Sequence, residues 1–154
     1  DYQLMLPNAD KSWVRIWVEG YRDGEKVEPS PLLELSYGLS PEKVSEGSMG
    51  FGIIHTDERE SVFLYAPGIS TQPRELDVSF TDGGIGGWTY AIDSKRIGLE
   101  PGETVLLGAY RQGDQYLRTY DLQDEGSIDK MIKEDKTDLL FKIRVDSQEE
   151  PPRT

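Results

Sequence analysis

Alternation of apolar and polar side chains with a period of two runs through this chain, most strictly from Trp13 to Tyr21. The even positions Val14, Ile16 and Val18 are aliphatic, whereas the odd positions read Trp13, Arg15, Trp17, Glu19 and Tyr21. Successive side chains of a strand point to opposite faces, so this segment buries a whole apolar face as a strand and none as a helix. It stops at Arg22-Asp23-Gly24-Glu25, where Asp-Gly supplies the positive backbone angles of a tight hairpin.

The same pattern returns along the chain. Leu33, Leu35, Tyr37 and Leu39 alternate, then Met49, Phe51, Ile53 and His55, then Val62, Leu64 and Ala66 after the charged turn Asp57-Glu58-Arg59-Glu60. Leu76, Val78 and Phe80 read as a further strand, as do Trp88, Tyr90 and Ile92; Val105, Leu107 and Ala109; Tyr116, Arg118 and Tyr120; and Leu139, Phe141, Ile143 and Val145. Ser40-Pro41-Glu42-Lys43 starts at most one helical turn. One real helix is expected, with Ser127 as its cap, Ile128, Met131 and Ile132 on one face, and Lys133 and Lys136 near its C-terminal end. These elements predict an all-β fold: an antiparallel β-sandwich, immunoglobulin-like or related, of eight or nine strands with one short C-terminal helix. A single domain over residues 1–146 and a disordered tail over residues 147–154, which contain Glu149-Glu150-Pro151-Pro152, complete the expectation. Closure of the strands into a small barrel around an apolar compound is the alternative.

Composition narrows the chemistry. A chain of 154 residues buries roughly 70% of the surface exposed when unfolded, so it needs no disulfide or metal for a core. With 29 acidic against 17 basic residues the net charge is −12, which repels a phosphate backbone and argues against nucleic acid as a partner. The lack of cysteine excludes disulfides, thiolate catalysis and cysteine-based zinc sites. No apolar run is long enough to span a bilayer as a helix. The chain begins at Asp1, from which a removed leading segment, a signal peptide, is expected.

Four motifs invite a chemical reading. The glycine-rich stretch Phe80 to Tyr90, "FTDGGIGGWTY", lacks the Lys-Ser/Thr ending of a phosphate loop and the third glycine of a dinucleotide fingerprint, so a long mobile connection between strands is expected. "DLQDEGSID" places Gly126 where a calcium loop starting at Asp121 needs it, but Gln123 and Ile132 occupy ligand positions. A solvated acidic turn is expected there. His55 is the only histidine and reads as a strand-end residue, since a catalytic zinc site needs further imidazole or thiolate ligands. Carboxylates paired for glycan hydrolysis meet in space and not in sequence, so the many acids decide nothing. No metal or cofactor is expected.

Three segments, "WVRIWVEGYRDGEKVE", "IGLEPGETVLLGAYRQG" and "SIDKMIKEDKTDLLFKIRV", resemble the small uncharacterised lipoproteins of Gram-positive bacteria, in which a lipidated Cys precedes a β-rich domain. The resemblance implies an extracytoplasmic protein, held on the outer face of the cell through a lipid anchor that preceded Asp1, and it carries no catalytic or binding residues with it. The residues themselves suggest an aromatic and charged binding face made of Trp13, Arg15, Trp17, Glu19 and Tyr21, with Trp88 at the glycine-rich stretch and Tyr116, Arg118 and Tyr120 in a second cluster. Tyr110 and Arg111 adjoin that cluster. The bland alternative is that the face is a second packing layer, its Arg and Glu paired across strands. The function expected is a non-catalytic binding or interaction module of the cell envelope, with an envelope protein, peptide or glycan as partner. Its rivals are the apolar-ligand carrier and a carboxylate-dependent glycan-active enzyme.

Overall fold

Period-two patterning gives eleven strands and one α-helix in the computed structural model, which describes residues 2–6, 8–27, 30–38, 43, 45–55, 60–75, 85–90, 98, 100–113 and 118–147. In chain order these are β1 (Tyr2–Leu6), β2 (Ser12–Arg22), β3 (Glu25–Lys26), β4 (Leu33–Gly38), β5 (Ser45–His55), β6 (Glu60–Ala66), β7 (Ile69–Ser70), β8 (Arg74–Glu75), β9 (Ile85–Tyr90), β10 (Thr104–Gly113), α1 (Glu125–Glu134) and β11 (Thr137–Ser147). The count exceeds the expected eight or nine because β3, β7 and β8 are two-residue pieces. β1 was not anticipated: in Tyr2-Gln3-Leu4-Met5-Leu6 the apolar Met5 breaks the alternation, though its side chain is 55% exposed.

The strands form two antiparallel sheets. The first runs β1-β5-β6-β7, with β8 also on β6; the second runs β3-β2-β11-β10-β9, with β4 also on β2. The architecture is therefore an all-β sandwich with one short helix near the C-terminal end, and not a barrel. The Asp23-Gly24 hairpin turn has φ of 52° and 83°, the two positive angles that a type I′ turn requires and that match the twist of its flanking strands.

The core fills the space between the sheets. Val14, Ile16 and Val18 of β2 and Leu139, Phe141 and Ile143 of β11 meet Leu4, Met49, Phe51, Val62 and Leu64 from the first sheet. Phe141 is fully buried, with its ring 5.1 Å from that of Phe51 and 5.7 Å from that of Tyr2. The Tyr2 hydroxyl also donates 2.7 Å across to the carbonyl of Leu107, tying the sheets together by a polar contact.

Four expectations change. In β10 the alternation of Val105, Leu107 and Ala109 breaks at a register shift between Leu106 and Gly108. The extra residue of this bulge turns Ala109 to the outer face, while Leu107 and Tyr110 stay with the core. The helix begins before Ser127: Asp124, in extended conformation, is the cap, and its carboxylate accepts from the Ser127 backbone N–H at 3.0 Å and from its hydroxyl at 2.9 Å. Gly86 and Gly87 belong to strand β9, paired with Gln112 and Arg111, and not to a connecting loop. Residues 118–120 are not a strand but part of the irregular lead into α1. The expected strand at Leu76 to Phe80, the glycines Gly83 and Gly84, the turns at Ser40-Pro41-Glu42 and Asp57-Glu58-Arg59, Tyr116 and the end of the tail from Gln148 onward lie outside the described residues.

Truncating the central core ring tests this packing. Phe141→Ala is expected to cost about 3–5 kcal/mol, read as a fall in urea midpoint without a change in slope.

Candidate functional site

The outer face of the second sheet collects the odd residues of β2. In register beside them stand Asp138, Leu140, Lys142, Arg144 and Asp146 of β11. Leu106 of β10, before the bulge, and Ala109 and Arg111, beyond it, follow. Helix α1 covers one end of this face. Met131 of the helix and Leu122 just before it bury themselves against Ala109 and Leu140, flanked by Tyr21, Leu106, Tyr120, Ile128 and Ile132.

Away from the helix the face is a charge network. Glu19 receives three donors: Trp17 Nε1 at 2.8 Å, Lys142 Nζ at 3.1 Å and the Tyr21 hydroxyl at 3.1 Å. Burial pushes the Glu19 carboxyl up, but the hydrogen bonds from Trp17, Lys142 and Tyr21 and the Lys142 charge outweigh it, so the group stays below its ordinary value. Arg15 Nε lies 2.7 Å from Glu34 of β4 as an ion pair outside hydrogen-bond alignment. Its guanidinium stacks 5.0 Å from the centre of the Trp17 ring, which leaves Trp17 only 7% exposed. Trp17 is therefore mostly packed under its neighbours.

Between α1 and β10 the face opens into a groove of about 670 Å³. Leu106, Ile128, Ile132 and Leu140 supply apolar surface, and Tyr21 and Lys142 reach in from the charge network. Glu103, Glu125 and Asp129 stand along its wall. Burial, the adjacent Glu19 carboxylate and Asp129 push the Tyr21 hydroxyl up to about 12, so at neutral pH it is a proton donor and not a base.

A polar knot anchors the far end of the helix. Asp135, the residue that ends α1, takes a bidentate pair from Arg111 at 2.6 and 3.1 Å, with both side chains nearly inaccessible. The Tyr120 ring lies 5.2 Å from the Arg111 guanidinium. Asp138, opposite Arg111 in the ladder, is 1% exposed, and neither of its oxygens receives a hydrogen bond. Burial and the neighbouring Asp135 carboxylate push the Asp138 carboxyl up to about 9, against the pull of Arg111. Asp138 is thus protonated at neutral pH, a neutral acid beside the Asp135 carboxylate.

The sequence-predicted residues divide accordingly. Trp13, Arg15, Trp17, Glu19 and Tyr21 share the outer face, and Tyr21 alone of these enters the groove. Trp88 sits elsewhere: opposite Tyr110 on β9, it packs its ring 5.1 Å from Tyr110 and 4.9 Å from Phe51, at the edge of the core. Arg118 is exposed and 3.9 Å from Glu134; Tyr120 belongs to the knot; Tyr116 lies outside the described residues. His55 ends β5, and its side chain is outside the described set. Sequence reasoning missed Leu106, Leu140 and Lys142, which a bulge and a ladder register bring together. The acids before the helix and the Ile128, Ile132 pair were visible, but as a solvated turn and a core stripe. Among the described residues no group of three metal-ligating side chains gathers. No helix among them is long and apolar enough to cross a membrane. Compared with known proteins, the chain matches no family model, no curated protein and no solved structure.

The knot makes a pH prediction. An acid raised from its ordinary 3.8 to about 9 holds its proton more tightly when folded, so its contribution to stability is full below the lower value and is lost as pH rises toward the upper one. Asp138→Asn keeps a donor toward Asp135 without the titration. It is expected to raise Tm at pH 8.5 by roughly 2–8 °C, equivalent to about 1–2 kcal/mol, and to leave it within error at pH 4. Calorimetry at the two pH values checks both arms.

Proposed function

We propose that the chain is a non-catalytic binding module of the bacterial cell envelope that holds a basic, partly apolar peptide segment of a partner protein in the groove beside α1. The observation that carries this reading is the groove's division of labour: aliphatic side chains form its floor, and the carboxylates Glu103, Glu125 and Asp129 flank it. Its volume of about 670 Å³ falls within the roughly 300–1,000 Å³ of ordinary ligand pockets. A net charge of −12 adds long-range attraction for a cationic partner. The sequence resemblance to Gram-positive lipoproteins supplies the extracytoplasmic, lipid-anchored part of the proposal. The Asp135 carboxylate is committed to Arg111, and the Asp138 carboxyl beside it is buried, beneath the helix, which favours binding over a carboxylate-dependent reaction.

An acetylated hexapeptide of alternating Lys and Leu is the probe. It is expected to shift amide signals of Tyr21, Leu106 and Ile128, and to bind less tightly in 0.5 M salt than in 0.05 M as screening shortens the range of the carboxylates. Because Glu103, Glu125 and Asp129 are exposed, the triple change Glu103→Gln, Glu125→Gln and Asp129→Asn leaves the fold intact and is expected to weaken binding roughly tenfold. Shifts confined to other surfaces, or an affinity that the triple change does not alter, would reject the groove as the site.

A further inference from the structure

The first sheet carries a different surface on its own outer face. In the β5–β6 ladder Gly52 stands opposite Phe63 and Gly50 opposite Tyr65. Each aromatic side chain leans across the ladder onto its glycine. A Cβ added to Gly52 would lie 2.5 Å from two Phe63 ring atoms, and one added to Gly50 would lie 2.6 Å from the Tyr65 hydroxyl oxygen and 2.9 Å from the ring carbon that bears it. The rings lie side by side, with centroids 6.1 Å apart and planes 35° apart, and both side chains are only partly buried. Ile54, next to Gly52 on this face, is 41% exposed, and Met5, farther along it on β1, is 55% exposed.

The described residues around the rings are mostly uncharged. Strand alternation puts Gln3, Ser48 and Ser61 on this same face, and Gln3 Nε2 donates to Ser48 Oγ at 2.8 Å. Of the outward side chains described on β1, β5 and β6, Glu46 is the one that carries charge, and Glu75 of β8 adds a second, beside Ser61. That is unusual in a chain in which 30% of residues are charged.

We infer that this face is a stacking platform for an uncharged oligosaccharide. A pyranose ring has an apolar C–H face and a rim of hydroxyls, and the negative face of an aromatic ring attracts the polarised C–H groups. Two adjacent rings held down on glycine lose little freedom when a ligand covers them. The amide and hydroxyls of Gln3, Ser48 and Ser61 are neutral partners for a hydroxyl rim. Among the described residues an anionic ligand finds no cation on these strands, and the two carboxylates, Glu46 and Glu75, lie at the margins of the ring pair. A second copy of the chain would bring another −12 of charge against the first, which opposes self-association. The site lies on the opposite sheet from the groove, and its test is independent of the groove's.

The test is affinity electrophoresis of the whole chain in gels containing glucan, mannan or xylan, each soluble and uncharged, with sedimentation equilibrium alongside. The wild type is expected to be retarded by at least one of them. Phe63→Ala combined with Tyr65→Ala is expected to weaken retardation at least roughly tenfold. Gly52→Ala, which keeps both rings but lifts Phe63 off the sheet, is expected to weaken it severalfold, and the triple carboxylate change at the groove is expected to have no effect. Should the double variant fail to fold by circular dichroism, Gly52→Ala and the saccharide-induced amide shifts along β5 and β6 decide. Absence of retardation in all three gels, retardation that survives loss or lifting of the rings, or a dimer that the ring substitutions abolish would overturn the assignment.

Discussion

The eleven-residue ladder between β2 and β11 is the constraint on which the other features rest. It pairs Ser12 with Ser147 at one end and Arg22 with Thr137 at the other without a register break. An unbroken period of two holds every even residue of β2 and every odd residue of β11 on the core side. Their neighbours are thereby committed to the outer face. A slip of β2 by one residue would put Glu19 into the core and Val18 into water, and a slip of β11 would do the same to Lys142 and Ile143, so the charged face and the apolar core enforce the same register from opposite sides. The groove and the anchoring knot are both attached to the outer side of this ladder.

Helix α1 is held to that ladder by two unlike interactions. Leu122 and Met131 bury apolar surface against Ala109 and Leu140, which favours contact but fixes position only loosely. Arg111 and Asp135 fix the position. A carboxylate at the C-terminal end of a helix meets the negative end of the helix dipole, and its burial there is tolerable because a bidentate guanidinium faces it. Removing either partner leaves an uncompensated buried charge, which is far costlier than the net worth of the pair. The backbone closes the junction: Lys136 N–H donates to the Gln112 carbonyl and Asp23 N–H to the Lys136 carbonyl. The wall of the groove is therefore positioned by contacts to β10, β11 and the β2–β3 turn together.

Much of this architecture was legible because burial between two sheets imposes a strict period. Val14, Ile16 and Val18, Val62 and Leu64, and Leu139, Phe141 and Ile143 all lie where alternation placed them. The breaks in the pattern were not legible. A bulge at Leu107 turns Ala109 outward, and nothing in the residue types there announces the extra residue. Gly86 and Gly87 look like a loop but lie in a strand, since paired backbone can hold glycine where neighbouring strands supply the order. The outer face of β2 was readable as aromatic and charged, but its exposure was not. Whether Trp17 meets solvent depends on Arg15, Glu19 and Lys142, and the last of these lies 123 residues from Glu19 in the chain.

The two outer faces show how one chain can carry opposite surface chemistries. On the second sheet the side chains are long and charged, and strand neighbours neutralise one another in pairs; among the described residues the row of carboxylates along the groove is what has no such partner. On the first sheet the glycines at positions 50 and 52 lower the surface by one side chain each, and the aromatic residues opposite fill the space. Glycine weakens a strand because it leaves nothing to pack, and an aromatic laid over it restores that packing while turning a ring face outward. If packing alone were selected, a β-branched residue at either position would do as well and would leave the neighbouring ring upright. A glycine opposite an aromatic at two successive outward positions sacrifices strand propensity for a surface of two adjacent rings, and that geometry is the strongest reason to look for a ligand there.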